Sequence, residues 1–120
     1  MNHIDEFIIA NCTGYSFTGL CSLIRNKKAL KSLTLKFDDQ FTNVQLVDMF
    51  SVPNNITNLV LMGMSTLTIT TVTIIILNNP QIVSLIAQNC DKLSRYRAYF
   101  DLVRSMFERS GRKVTIVVNN

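Results

Sequence analysis

Ile4, Leu30, Ile56 and Ile82 stand 26 residues apart each time (30−4, 56−30, 82−56), and each opens the same short pattern. Counting from that residue as zero, apolar or small residues recur at offsets three, five and eight. The copies read Ile4/Phe7/Ile9/Cys12, Leu30/Leu33/Leu35/Asp38, Ile56/Leu59/Leu61/Met64 and Ile82/Leu85/Ala87/Cys90, with Asp38 and, mildly, Ala87 as the departures. A fixed period in the twenties means that each unit is one supersecondary element too small to bury its own apolar face, so neighbours must stack to share a core. The pattern divides the chain into repeats 4–29, 30–55, 56–81 and 82–113, with a stretch at 114–118 that does not repeat.

Each repeat begins as a strand and continues as a helix. Ile4 to Ala10 is an extended run rich in β-branched residues, which suits a short strand. Ser16 is then a good N-cap for a helix with Phe17, Leu20, Leu23 and Ile24 on one face. In the second repeat Leu30 to Phe37 alternates as a strand, and Thr42 with Gln45 forms a capping box before a helix that Pro53 ends. In the third, Ile56 to Met62 is the strand, while Ile69 to Ile76 is strongly β-forming by local propensity. Its phase matches the other helices and Asn78-Asn79-Pro80 punctuates it as Pro53 does the second, so the pattern predicts a helix there. The fourth repeat predicts a strand over 82–88 and one long helix from about Ser94 to Arg109, with Tyr96, Tyr99, Phe100, Val103, Met106 and Phe107 as its buried face. Val114 to Val118 reads as a closing strand.

At 120 residues, nearly half of them apolar, the chain is about one domain with ample material for a core. The net charge of +4 is concentrated between Lys92 and Lys113, where Lys92, Arg95, Arg97, Arg104, Arg109, Arg112 and Lys113 face only Asp101 and Glu108. That permits an anionic partner, but with no aromatic stacking platform expected on the exposed side, nucleic acid is disfavoured and a solvated face expected. Cys12 and Cys90 share one repeat offset and stand three repeats apart (90−12 = 78), beyond disulfide reach, so both are expected to be small buried hydrophobes in a reducing compartment. Cys21 falls on a predicted helix without an activating neighbour. The uncharged stretch from Ile56 to Leu77 is long enough to span a bilayer, yet its apolar positions coincide with the repeat offsets, and no membrane association is expected. The N-terminus carries no signal-peptide pattern, which points to the cytoplasm or nucleus.

The 26-residue unit, the cysteine at offset eight in two copies and the helix in every repeat resemble the cysteine-containing leucine-rich repeats of F-box proteins and the related ribonuclease-inhibitor-like fold. The resemblance covers essentially the whole chain, and Ser94 onward, with Gly111-Arg112-Lys113-Val114-Thr115-Ile116-Val117, looks like the close of such arrays. It implies an α/β solenoid of four strand–helix units plus the closing strand, with a parallel sheet on the concave face and helices outside. It also implies a protein-interaction module, in its most concrete form the substrate-recognition repeats of a cullin-type ubiquitin ligase. The first repeat begins at residue 4, so no F-box and no capping element are expected before it. The first strand is therefore expected to be an open sheet edge that frays or self-associates.

Chemistry finds little footing. His3, the only histidine, falls in an N-terminal tail expected to be mobile, so a Cys–His or Ser–His–Asp arrangement lacks its base, and the adjacent Asp38 and Asp39 read as turn residues. No catalytic residue, metal, cofactor or small-molecule substrate is expected. The candidate site is instead the set at offsets four and six, which points away from the core on each strand: Ile8 and Ala10, Thr34 and Lys36, Val60 and Met62, Ile86 and Gln88. An apolar column of that kind fits a protein partner. A free-standing scaffold or inhibitor unrelated to ubiquitin, and a basic nucleic-acid-associated domain, are the rival readings.

Overall fold

The backbone runs through five strands in sequence order, every one parallel to its neighbours. A computed structural model describes residues 6–9, 16–27, 29–36 and 41–119, with side chains from residue 16 onward. Strands β1 (Glu6–Ile9), β2 (Ser32–Lys36), β3 (Asn58–Met62), β4 (Ser84–Gln88) and β5 (Thr115–Asn119) form one sheet in the order β1-β2-β3-β4-β5. The crossovers carry helices α1 (Phe17–Asn26), α2 (Asn43–Met49) and α3 (Ile69–Asn78), and between β4 and β5 the short α4 (Asp91–Ser94) and α5 (Tyr99–Arg109). The molecule is α/β, as the alternation of strand and helix patterns predicts.

The spacing in the sequence is the register of the sheet. Leu33 pairs with Leu59 and Leu59 with Leu85, steps of 26 residues (59−33, 85−59). The last step is longer: Leu85 pairs with Ile116, 31 residues on. Between strands the same bonds recur one unit apart, with Thr57 N–H donating to Lys31 O, Val83 N–H to Thr57 O and Thr115 N–H to Val83 O. Gly63 and Asn89, one period apart and each just past its strand, are both left-handed (φ 71° and 54°) and donate to Gln88 O and Asn119 O. Glycine and asparagine tolerate that conformation best.

One face of the sheet is core. Leu33, Leu35, Leu59, Leu61, Leu85, Ala87, Ile116 and Val118 are buried with Leu30, Ile56, Ile82, Met64 and Cys90. The buried residues of every helix join the same cluster, among them Leu20, Ile24, Leu46, Met49, Val72, Ile75, Ile76, Leu93, Phe100 and Phe107. Helices therefore cover one face, and among the described residues none covers the other.

Local signals start the helices as expected. Ser16 Oγ accepts from Gly19 N–H at 2.9 Å, and Thr42 and Gln45 satisfy each other in a capping box. Thr68 caps α3 through Thr71 N–H. The β-branched run from Ile69 is helical because Val72, Ile75 and Ile76 are fully buried: each contributes ~1.5–3 kcal/mol, against a helix-propensity deficit of ~0.5 kcal/mol per residue. Thr73 Oγ1, returning to Ile69 O at 2.9 Å, satisfies its hydroxyl within the helix.

Two expectations are corrected in the fourth unit. The single helix over 94–109 is two helices joined by tighter turns, with Tyr96 N–H on Leu93 O, Tyr99 N–H on Tyr96 O and Phe100 N–H on Arg97 O, each three residues back. The closing strand is Thr115–Asn119, displaced by one residue from 114–118, with Thr115 in register with Ser84, the first residue of β4. No helix among the described residues is long and apolar enough to cross a membrane.

Candidate functional site: the bare sheet face

Side chains alternate along a strand, so the residues between the core positions stand on the bare face. Register aligns them in three rows. The middle row is Ile8, Thr34, Val60, Ile86 and Val117, one residue from every strand. On one side runs Lys36, Met62, Gln88 and Asn119, and on the other Ser32, Asn58, Ser84 and Thr115, preceded by Glu6 in β1. Neighbours along a row are ~4.8 Å apart, so Thr34 to Val117 spans roughly 14 Å.

Sequence reasoning placed Thr34, Lys36, Val60, Met62, Ile86 and Gln88 here, and the structure brings all six together. Thr34, Val60, Met62, Ile86 and Gln88 are half-buried and Lys36 is exposed. The apolar neighbours cover one another in part and leave the rest to water. Ile8 joins by backbone register to Thr34, while its side chain and Ala10 lie outside the described residues. Val117 completes the middle row and was missed, although its place between the buried Ile116 and Val118 marks it by simple alternation. Among the described side chains of the face Lys36 carries the only charge.

Among the described residues no three His, Cys, Asp or Glu come together. Cys90 is buried with its Sγ 3.4 Å from Gln88 O. Burial pushes the Cys21 thiol up from its ordinary range, Asp48 adds to this and Arg25 opposes it, so the thiol is held neutral and not activated. His3, Cys12, Asp38 and Asp39 lie outside the described residues.

The basic end of the chain differs from its expected form. Phe100 and Phe107 are buried, but Tyr96 (43 % exposed), Tyr99 (52 %), Leu102 (67 %) and Met106 (47 %) are not. The apolar arc of α5 is wider than the core beneath it, so the buried face assigned from periodicity is only partly buried. The rings of Tyr96 and Tyr99 lie 5.9 Å apart and, with Lys92, Thr68 and Ile69, line a cleft of about 310 Å³. An exposed aromatic pair beside basic residues therefore exists after all. Of the seven basic residues, Arg112 turns inward and Arg104 pairs with Asp101 and reaches Ile116 O. Lys92, Arg95, Arg97, Arg109 and Lys113 are exposed and form no ion pair among the described residues. Comparison of the chain with protein-family models, with curated proteins and with solved structures finds no match in any of the three.

Proposed function

We propose that the chain is a leucine-rich-repeat solenoid of four strand–helix units, acting as a non-enzymatic protein-interaction module that holds its partner on the bare sheet face. The observation that carries this reading is the row Thr34, Val60, Ile86 and Val117: aligned, uncharged, half in water and covered by no helix among the described residues. Core packing needs none of these side chains, since the opposite face supplies it. A largely apolar row flanked by rows that are polar apart from Met62 and uncharged apart from Lys36 suits a protein surface with an apolar ridge.

The resemblance stated above makes substrate recognition for a cullin-type ubiquitin ligase the concrete form of this function, and a free-standing scaffold its rival. A photo-crosslinker at Ile86 is expected to capture the partner, and Val60→Lys to abolish the capture while leaving the melting temperature within a few degrees of wild type. Capture unaffected by Val60→Lys would move the site elsewhere. Ubiquitination of the captured partner that rises with the amount of the chain separates the ligase reading from the scaffold.

A further inference from the structure

The second solvent-facing apolar surface lies on α5 and is independent of the sheet face. Tyr99, Leu102 and Met106 recur at steps of three and four residues and form a stripe along the helix, prolonged by Tyr96 one turn earlier. At 3.6 residues per turn, Arg109 adjoins Leu102 on the solvent side of that stripe, whereas Asp101 and Glu108 lie about half a turn from Tyr99. The border of the stripe is thus basic, with Lys92 in the cleft at its head and the exposed Arg95 next to Tyr96 in the chain, and the acids of α5 face away.

We infer that this stripe docks an amphipathic α-helix of a partner protein, apolar along one side and acidic along its flanks. From Tyr96 to Met106 it spans roughly 15 Å at 1.5 Å per residue, about three turns, which a helix with anchors at i, i+3 and i+7 matches. The cleft beside Tyr96, Tyr99 and Lys92 takes the first anchor, and glutamates on the partner's flanks meet Lys92, Arg95 and Arg109. A second copy of this chain does not fit, because its own stripe would bring arginine against arginine. Single-stranded nucleic acid would stack on the tyrosine pair but leave Leu102 and Met106 in water. A flat anionic bilayer does not reach into the concave cleft.

The test uses the full chain and two labelled synthetic three-turn helical peptides with the same leucine stripe, one flanked by glutamates and one by lysines. The glutamate peptide is expected to bind, and the lysine peptide to bind at least about tenfold more weakly, with the difference shrinking in salt. Leu102→Glu and Met106→Glu each abolish binding, Leu102→Glu without lowering the melting temperature since two thirds of that residue is exposed; Val60→Lys leaves binding unchanged. The double reversal Arg95→Glu/Arg109→Glu transfers the preference to the lysine peptide. Equal binding of the two peptides, no binding of the glutamate peptide or binding that survives Leu102→Glu overturns the inference. So does tighter binding of an oligothymidylate or of phosphatidylserine vesicles that is lost on the same substitutions.

Discussion

Asn79 is one of few polar side chains wholly inside the described molecule. Its Nδ2 donates to Phe50 O at 2.9 Å and Ile75 O at 2.8 Å, and its Oδ1 accepts from Asn54 Nδ2 at 2.9 Å. One carboxamide thus ends α3 and joins it to the unit before. Asn79→Ala strands buried carbonyls and is expected to cost about 2 kcal/mol; Asn79→Asp, which sets an anion against those carbonyls, costs more, and urea unfolding ranks the two. Arg112 makes the matching joint from the other side. It lies over the Phe107 ring and donates to Ile76 O, Asn79 O and Ile82 O, and burial lowers the pKa of its guanidinium. A lysine has no planar fork, so Arg112→Lys is expected to lose about 1–2 kcal/mol despite keeping the charge. Thiols give a readout in pH. Because burial raises the folded-state pKa of Cys21, its contribution to stability is whole below the ordinary thiol value and is lost as pH rises through the raised one. Alkylation of Cys21 in the native protein should therefore still be accelerating with pH beyond ~8.5, where an ordinary thiol begins to level off, and Cys90 should stay unmodified until the chain unfolds. Rapid labelling of both at neutral pH is the contrary outcome.

Among the elements, α3 shows how far neighbours determine local structure. Its sequence favours a strand, and its helicity depends on burial against α2 and the sheet together with the caps at Thr68 and Asn79. A peptide of residues 66–80 is accordingly expected to show no helical circular dichroism in water, being short as well as β-branched; a helical spectrum would remove tertiary packing as the cause. Thr68→Ala in the whole chain should cost about 1 kcal/mol through the lost cap. The helix was legible in the sequence because its phase repeated, even where its composition argued against it. What was not legible lies in the fourth unit. The 31-residue step to β5 takes five residues more than the others, and nothing in Arg95-Tyr96-Arg97-Ala98 breaks a helix by propensity, so the tight turns there left no mark. Periodicity also assigns every apolar residue of a helix to its inner side. It has no way to register that the layer beneath α5 is too narrow to cover Leu102 and Met106. Val117 was overlooked for a simpler reason: the 26-residue count ended before its strand began.

The molecule as a whole is a stack in which each strand bonds only to the strands before and after it. Where each strand bonds only to its neighbours, the outermost strands open first. Backbone amides of β3 and β4 should exchange slowest with solvent and those of β1 fastest; protection of β1 equal to that of β3 would contradict this. The shared direction of the strands bears on how the protein would assemble. Among the described residues β1 and β5 are the outermost strands, and a sheet running in one direction makes them unlike edges, as the two ends of an arrow are. Joining β5 of one molecule to β1 of the next keeps all strands parallel and presents the same unlike pair at the ends of the product. Growth by that route has no closing step, so it yields fibres above a threshold concentration. Pairing β1 with a second β1 runs antiparallel about a twofold axis, consumes both edges at once and stops at the dimer. Light scattering that climbs without limit as protein is added, or levels off at twice the monomer mass, tells which edge has met which.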